Sequence, residues 1–434
     1  MMEKYQQILQ NESLGTYIGK VTKIVGLRLE SNGPLSKIGD ICEIETLDKS
    51  SVILSEVVGV EGLNVYLLPY TDIDGIGYGS KVTNLNHVLE IPVGKELIGR
   101  IVDPLGRPID GLGSIQTNDI YSVKGTRINP FERPRIHKVL SMGVKSIDSL
   151  LTIGKGQRCG IFAGSGVGKS TLMGMIARNV KADINVIALV GERGREVNEF
   201  IQKDLGEEGL KRSILVVATS DESAMMRSKC ALSATTIAEY FRDQGYDVLL
   251  MMDSLTRFAM AEREIGLSIG ESPIARGYTP SIYSALPKLL ERAGNTKNGS
   301  ITGLYTVLVE GDDSNEPISD TVRGIIDGHI MLSRKIAMKN HYPAIDILSS
   351  ISRLMSDIVS NQHRQVASKI RQLMAVYQEN EDLISIGAYK SGSNPRLDEA
   401  IKKIDSINQF LIQEVSQVST FNESLELMEK IVKT

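Results

Sequence analysis

The first quarter of the chain alternates apolar and polar residues in short runs, a pattern typical of half-buried β-strands. One apolar stripe recurs at period two: Val52, Leu54, Val58 and Val60. Strand-like segments separated by Gly, Asn and Asp turns occupy residues 16–30, 40–47, 51–60 and 63–69. This spacing predicts a small closed barrel at residues 15–92. A generic β-domain without chemistry fits the same pattern.

A turn-rich connector (102–111) and a proline-containing linker (128–134) follow, and then the pattern changes. Short apolar runs alternate with helical stretches; the runs are 157–162, 184–190, 213–219 and 247–252. Apolar residues at helical spacing mark one helix face: Cys230, Ala234, Ile237, Ala238 and Phe241. Strands that alternate with helices predict an α/β domain with a mostly parallel sheet, which we place at residues 93–355.

From about Ser356 the pattern is helical and predicts a C-terminal helical domain at residues 356–434. One apolar stripe comprises Leu397, Ile401, Ile404, Ile407 and Leu411, and a second comprises Phe421, Leu425, Met428 and Ile431. The N-terminal segment 1–14 carries a short apolar face of Tyr5, Ile8 and Leu9. That segment is either a frayed terminus or a helix that docks on a partner.

The composition is that of a soluble globular chain, and it excludes several functions. Of the 434 residues, 41% are hydrophobic and 24% are charged, which argues against a mainly disordered chain. Lys+Arg 49 against Asp+Glu 53 gives a net charge of −4, so nucleic acid is not an expected main partner. The three Cys are far apart, and the five His lack zinc-site spacing. Apolar runs of about five residues are too short to span a membrane, and we expect a cytoplasmic protein.

The strongest chemical signal is the segment GQRCGIFAGSGVGKST at residues 156–171, in which an apolar strand meets a Gly-rich turn and a helix start. Such a turn points backbone N–H groups at an anion, and the helix N-terminus adds a positive partial charge. The segment matches the phosphate loop GxxxxGK[ST] except that Ala163 stands at its first glycine. The predicted nucleotide-binding residues are Ala163, Gly164, Ser165, Gly166, Val167, Gly168, Lys169, Ser170 and Thr171.

Within this loop, Lys169 is expected to reach the β- and γ-phosphates of ATP, and Ser170 to offer its hydroxyl to Mg²⁺. Asp253 ends the apolar run 248–252, and beside a phosphate loop such a carboxylate holds Mg²⁺ through water; elsewhere it is more often a cap. Glu192 follows another strand at the sheet edge where ligands bind, so it is a candidate to polarise water, with Arg193 beside it. A helix start of mixed charge explains these last two residues equally well.

With these segments assembled, the chain resembles the hexameric export ATPases of type III secretion, and most closely their flagellar branch. The resemblance rests on AGSGVGKSTLMGMIAR, ALVGERGREVNEFI, MMDSLTRFAMAEREIGL, ARGYTPSIYSALPKLLERAG, EGDDSNEPISDTVRGIIDGHIMLSR and HYPAIDILSSISRLM, with GAYKSGSNPRLDEAI typical of the flagellar branch. It implies an N-terminal β-barrel, a RecA-like P-loop nucleotide domain and a C-terminal helical domain. Six copies would form a ring with ATP between neighbours.

The resemblance also implies roles for single residues. The catalytic set that it implies is Lys169, Glu192, Arg193, Arg257 and Arg353, with Arg353 as the arginine finger offered to the next subunit's nucleotide. Ser170 and Asp253 match the Mg²⁺ contacts, and Tyr342 matches an aromatic residue that packs on adenine. Ala163 is a usual variant in the secretion branch, where rotary ATP synthases carry Gly.

The partners that the resemblance implies are a homohexamer, a stator-like regulator at the N-terminal segment and a stalk protein in the ring pore. Export substrates with their chaperones would dock near the C-terminal helices, and an export gate would lie at the membrane. The protein would then be peripheral at the cytoplasmic face of the inner membrane. Residues 264–280 are a candidate pore loop, though a plain connecting loop fits as well.

Other machines share this ATPase core. The chain is similar to the catalytic subunit of rotary proton-translocating ATPases, but Ala163 and the secretion-like segments favour export. An RNA helicase on the same ring core is disfavoured by the acidic balance. A non-catalytic ring is disfavoured because every acid and base that hydrolysis needs is present. Flagellar and virulence-type secretion are separated by resemblance only.

Overall fold

A computed structural model describes residues 17–309 and 316–433. The predicted N-terminal segment 1–14 therefore lies outside the described residues, as does the stretch 310–315 within one of the motifs quoted above. All structural statements below refer to the described ranges.

The described chain begins with a closed six-stranded antiparallel barrel, which confirms the predicted N-terminal barrel. Its strands are β1 (Gly19–Val25), β2 (Arg28–Asn32), β3 (Asp40–Glu45), β4 (Val52–Glu61), β5 (Asn64–Pro69) and β6 (Lys81–Val88). They pair in the order β1-β2-β5-β4-β3-β6. The predicted segment 16–30 is two strands, because the chain turns at Gly26 with a φ of 58°, a conformation that glycine adopts easily.

The apolar stripe of β4 lies on the outside of the barrel. Ile53 and Val57 are buried in the barrel interior, whereas Val52 and Val60 are exposed. Leu54, on the same outer face, packs against a junction cluster formed by Ile41, Leu68, Tyr70, Met225 and Met226. Part of the stripe is therefore apolar because it contacts the nucleotide domain.

Three short strands connect the barrel to the central domain: β7 (Glu90–Val93), β8 (Ile101–Val102) and β9 (Asp119–Ser122). β7 pairs with β9, and β8 adds to the edge of the central sheet. Short 3₁₀ helices occupy Lys95–Leu97 and Pro130–Glu132. Through β8, the connector is joined to the central sheet by backbone pairing.

The central sheet has nine strands in the described ranges: the four predicted strands and five that were not predicted, of which β8 is one. Its remaining members are β10 (Arg158–Ala163), β11 (Ile184–Glu192), β12 (Ser213–Thr219), β13 (Asp247–Asp253), β14 (Gly294–Asn295), β15 (Ser300–Leu308), β16 (Gly328–Leu332) and β17 (Ile345–Ser352). The order is β17-β16-β10-β15-β13-β11-β12-β8, with β14 paired to β15. All neighbours on that path are parallel except β16 and β17. The mostly parallel sheet is confirmed.

Helices cover both faces of this sheet. In chain order they are α1 (Lys145–Leu150), α2 (Lys169–Asn179), α3 (Gly194–Glu199), α4 (Gly206–Leu210), α5 (Ala224–Asp243), α6 (Leu255–Ser268), α7 (Pro280–Leu290), α8 (Pro317–Ile325) and α9 (Arg334–Met338). A π-helical turn joins α3 to α4 at Phe200–Leu205, and a 3₁₀ turn lies at Ala275–Gly277. Alternate strand residues enter two separate cores: Leu249 and Met251 one, Val248 and Leu250 the other. The predicted face of α5 is fully buried.

The C-terminal part is helical, as predicted. Its helices are α10 (Met355–Ile358), α11 (Asn361–Glu379), α12 (Glu381–Ser385), α13 (Pro395–Leu411) and α14 (Phe421–Lys433). The predicted stripes supply some of its buried positions, for example Leu397, Ile407 and Met428. Other stripe positions, such as Ile401 and Ile431, are half-buried. On α11, the buried His363 hydrogen-bonds through Nε2 to the Ser149 carbonyl at 2.6 Å, which anchors the helical part to the nucleotide domain.

Two further features concern membrane-spanning helices and disulfide bonds. In the described part of the chain, no helix combines the length and the apolar character that crossing a bilayer demands. Cys42, Cys159 and Cys230 are each buried and free of disulfide bonds.

Candidate active site

The phosphate loop lies between the carboxyl end of β10 and the start of α2. Gly166 and Gly168 have φ values of 76° and 86°, in the left-handed region that L side chains rarely adopt. Gly168 directly precedes the first helical residue, Lys169. The loop therefore requires glycine at these two positions, and it places the N-terminus of α2 at the cavity.

A cavity of about 450 Å³ opens beside this loop at the carboxyl edge of the sheet. Its lining includes Gly164, Ser165, Gly166, Gly168, Lys169, Ser170, Thr171, Glu192, Arg193, Asp253 and Arg257. Ala163 and Val167 do not line it, because both side chains are buried in the core. These two residues support the loop by packing into the core, and they contribute no side chain to the cavity.

Lys169 stands between two carboxylates. Its Nζ lies 2.5 Å from Asp253 Oδ1 and 3.8 Å from Glu192 Oε1. Burial by itself would lower the pKa of Lys169, but the two carboxylates outweigh burial and the pKa is raised. The loop therefore carries a permanent cation where a triphosphate would dock.

Glu192 is a carboxyl group of unusual proton affinity. Burial and the neighbouring Asp253 carboxylate raise its pKa to about 7, against the lowering effect of Lys169. The Glu196 carboxyl, which hydrogen-bonds to it, raises the pKa further. A base with a pKa near the working pH is suited to orient and polarise a water molecule.

We expect kcat/KM for ATP hydrolysis to fall as the pH drops through about 7, because kcat/KM reports the free enzyme and only ionised Glu192 can accept a proton from water. Initial rates at low ATP across the neutral range measure this. The Glu196→Gln variant should shift the midpoint to lower pH, since it removes a carboxyl that raises the Glu192 pKa. A profile that stays flat from about pH 6 to about pH 8 would contradict the assignment.

The two arginines predicted near the γ-phosphate both border the cavity. The Arg193 side chain is 75% exposed and lies 3.5 Å from Glu196, measured from Nη1 to Oε1. Arg257 lies in the first turn of α6, and its buried Nε has no hydrogen-bond partner among the described residues. Arg257 thus lines the cavity, while its Nε is buried away from solvent.

Tyr342 reaches the loop from the other side. A Cβ added at Gly168 would lie 3.6 Å from two atoms of the Tyr342 ring, so the ring rests close to the loop backbone. The Tyr342 carbonyl accepts a hydrogen bond from the Gln413 N–H at 3.0 Å. The ring is 39% exposed, which leaves it a face for the predicted contact with adenine.

Arg353 does not join this cluster. It follows β17, and its N–H donates to the Asp327 carbonyl, while the Asp327 N–H donates to the carbonyl of Arg158, the first residue of β10. The phosphate loop follows the last residue of β10, about 17 Å away along the strand. Arg353 is exposed at the opposite edge of the sheet, away from the cavity of its own chain.

The structure adds two residues that the sequence analysis did not single out. Thr306, on β15, donates a hydrogen bond to Asp253 Oδ1 at 2.6 Å. Glu196 contacts Glu192, and its place in VGERGRE, four residues after Glu192, is the signal that would have found it. Thr306 carried no such signal, because Thr302, Gly303 and Thr306 interrupt the apolar run of its strand.

The donor set fits Mg²⁺ bound together with a nucleotide. Within the described ranges there is no group of three or more His, Cys, Asp or Glu side chains that could hold a metal ion. Ser170 and Asp253 instead offer one hydroxyl and one carboxylate at the cavity. Oxygen donors suit Mg²⁺, which binds proteins through one or two side chains and completes its shell with phosphates and water.

Family models match most of the chain. Those of the ATP synthase alpha/beta family match residues 21–86 with the beta-barrel domain and residues 143–352 with the nucleotide-binding domain. The model described as the T3SS EscN ATPase C-terminal domain matches residues 359–430. Each of the three parts therefore has a counterpart in known proteins.

Individual relatives cover almost the full length. The flagellum-specific ATP synthase of Bacillus subtilis (strain 168) is 56% identical over 94% of this chain and 93% of its own. The type 3 secretion system ATPase of Xanthomonas euvesicatoria is 49% identical over 96% of this chain and 95% of its own. The assembled ATPase EscN in complex with its central stalk EscO, from the enteropathogenic E. coli type III secretion system, matches with a TM-score of 0.89 at 44% identity, covering 95% of this chain and 100% of that chain.

Proposed function

The chain belongs to the ATP synthase alpha/beta family, in the branch of flagellum-specific ATP synthases and type 3 secretion system ATPases, and from this premise we propose that it hydrolyses ATP to power the export of flagellar proteins. The higher identity to the Bacillus subtilis flagellar protein than to the Xanthomonas euvesicatoria secretion ATPase supports the flagellar assignment. The observation that carries ATP hydrolysis is the convergence of Lys169, Glu192 and Asp253 on the cavity beside the phosphate loop.

Hydrolysis of ATP needs positioning and charge neutralisation more than covalent help. The loop N–H groups and Lys169 bind the β- and γ-phosphates, and Glu192 orients the attacking water and takes up its proton. The Ser170 hydroxyl and the Asp253 carboxylate would hold Mg²⁺ that arrives with the nucleotide, and the chemistry it would supply is neutralisation of phosphate charge. Arg257 lines the cavity, where its guanidinium can bind a phosphate oxygen.

The active form is a homohexamer in which Arg353 of one subunit completes the site of the next. Its exposed position at the edge opposite its own phosphate loop supports a role across a boundary between subunits. The related EscN is known in an assembled form with a central stalk. We accordingly assign a stalk protein in the ring pore as a partner.

The remaining partners follow from the export role. A stator-like regulator at segment 1–14, export substrates with their chaperones at the C-terminal helices, and an export gate at the membrane would place the ring at the cytoplasmic face of the inner membrane. Residues 264–280 include the end of α6 and the loop before α7, and they are the candidate segment facing the pore.

A site completed in trans makes activity depend on assembly. We expect ATP hydrolysis per subunit to rise with protein concentration and then to level off, because an isolated subunit lacks the arginine of its neighbour. Phosphate release measured beside the molar mass from light scattering tests this. Strict proportionality between rate and concentration across the range in which rings form would contradict shared sites, while an absence of phosphate release at every concentration would overturn the proposed ATPase.

A further inference from the structure

Thr306 makes a close contact with the carboxylate that is proposed to face Mg²⁺. It lies on β15, between β10, which leads into the phosphate loop, and β13, which ends at Asp253. Its hydroxyl donates to Asp253 Oδ1 at 2.6 Å, and the next acceptor, the Met252 carbonyl, is 3.3 Å away. The shorter contact, to a carboxylate oxygen, is the stronger of the two.

The contact is held rigidly from both sides. Thr306 is fully buried, and Asp253 is almost so. Leu308, two residues further along β15, donates its N–H to the Thr256 hydroxyl at 2.9 Å, which joins the end of this strand to the start of α6. Thr306 therefore cannot turn away without breaking packed structure.

Both partners of Asp253 bind the same oxygen. Lys169 Nζ and the Thr306 hydroxyl each contact Oδ1, and Oδ2 has no hydrogen-bond partner among the described residues. Lys169 is the partner that a nucleotide would draw away, because its charge is needed at the phosphates. Thr306 would then be the group that keeps Oδ1 in place.

We infer that Thr306 is a positioning residue: by fixing Oδ1, it presents Oδ2 of Asp253 to the Mg²⁺–nucleotide complex. The inference rests on the proposed function, since it assigns a task to a residue of the same site. Residues that orient a metal-facing group typically change metal affinity or activity by about 10- to 100-fold when they are removed.

The test compares three variants with the unchanged protein. Thr306→Val keeps the shape but removes the hydroxyl, and Thr306→Ser keeps the hydroxyl. Thr302→Val is the matched control: Thr302 lies on the same face of β15 and is equally buried, but its hydroxyl accepts the Gly156 N–H at the far end of the strand. The Kd for the fluorescent nucleotide mant-ADP is measured in buffer that contains Mg²⁺ and, separately, in buffer that contains EDTA. Circular dichroism checks that each variant folds.

In Thr306→Val, the Kd for mant-ADP is expected to rise about 10-fold with Mg²⁺ and to stay unchanged in EDTA. Thr306→Ser should restore most of the Mg²⁺-dependent affinity, and Thr302→Val should bind like the unchanged protein under both conditions. Equal losses with and without Mg²⁺, equal losses in Thr306→Val and Thr302→Val, or a failure of Thr306→Ser to restore binding would each overturn the positioning role. Failure of the unchanged protein to bind mant-ADP would overturn the proposed function itself, and this inference with it.

Discussion

Replacement of Arg353 by alanine is expected to slow ATP hydrolysis by about 10³- to 10⁵-fold while nucleotide binding and ring assembly persist. The loss corresponds to roughly 4–7 kcal/mol of transition-state stabilisation. The Arg353 side chain is exposed, and it donates to the Arg323 carbonyl at 3.2 Å. Such a surface contact adds little to stability, so folding should be unaffected.

Phosphate release, mant-ADP binding and molar mass should be measured on the same preparation. Arg364→Ala is a suitable control, because Arg364 is an exposed arginine on the nearby α11 whose Nη2 donates to Asn361 Oδ1. Near-normal turnover by the Arg353→Ala ring would show that the finger is another residue. Loss of assembly in that variant would show that Arg353 holds subunits together.

Replacement of Glu192 by glutamine is expected to leave ATP bound but hydrolysed about 10²- to 10⁴-fold more slowly. Glutamine has nearly the same shape but cannot take a proton from water. Lys169 keeps its ion pair with Asp253 in the nucleotide-free protein, so the loop should fold with the same geometry. Affinity for ATP should stay the same or increase, because one negative charge leaves the cavity.

Single-turnover hydrolysis measures this change directly. Glu199→Gln serves as control, since Glu199 is an exposed carboxylate one turn from Glu196 that pairs with Arg195. Turnover near that of the unchanged protein would remove Glu192 from the mechanism. Weakened binding with unchanged turnover would make it a ligand of the nucleotide instead.

The two variants can be combined to test sharing of the site between subunits. A ring that mixes Arg353→Ala with Glu192→Gln subunits contains some boundaries with both an intact glutamate and an intact arginine. Activity should therefore reappear on mixing, although each variant alone is slow. No recovery in rings shown to be mixed would argue against supply of Arg353 in trans.

The sequence by itself determined the phosphate loop, the barrel and the order of the three parts. These features are encoded locally: two left-handed glycines before Lys169, strands of period two, and helix stripes whose members are buried or half-buried. Local spacing also located Glu192 and Asp253, because each ends a strand that leads to the same edge of a parallel sheet.

Tertiary structure alone decided which of these groups meet. In the sequence, the outer stripe of β4 has the pattern of an ordinary strand face. Its contact with Met225 and Met226 in the structure explains why part of this stripe is apolar. The strand that carries Thr306 became recognisable only through its pairing between β10 and β13. The edge on which Arg353 emerges depends on the antiparallel turn from β16 to β17. Strand order and burial arise from contacts between segments that are far apart in the sequence. Such contacts produce no periodic pattern in the residues that make them.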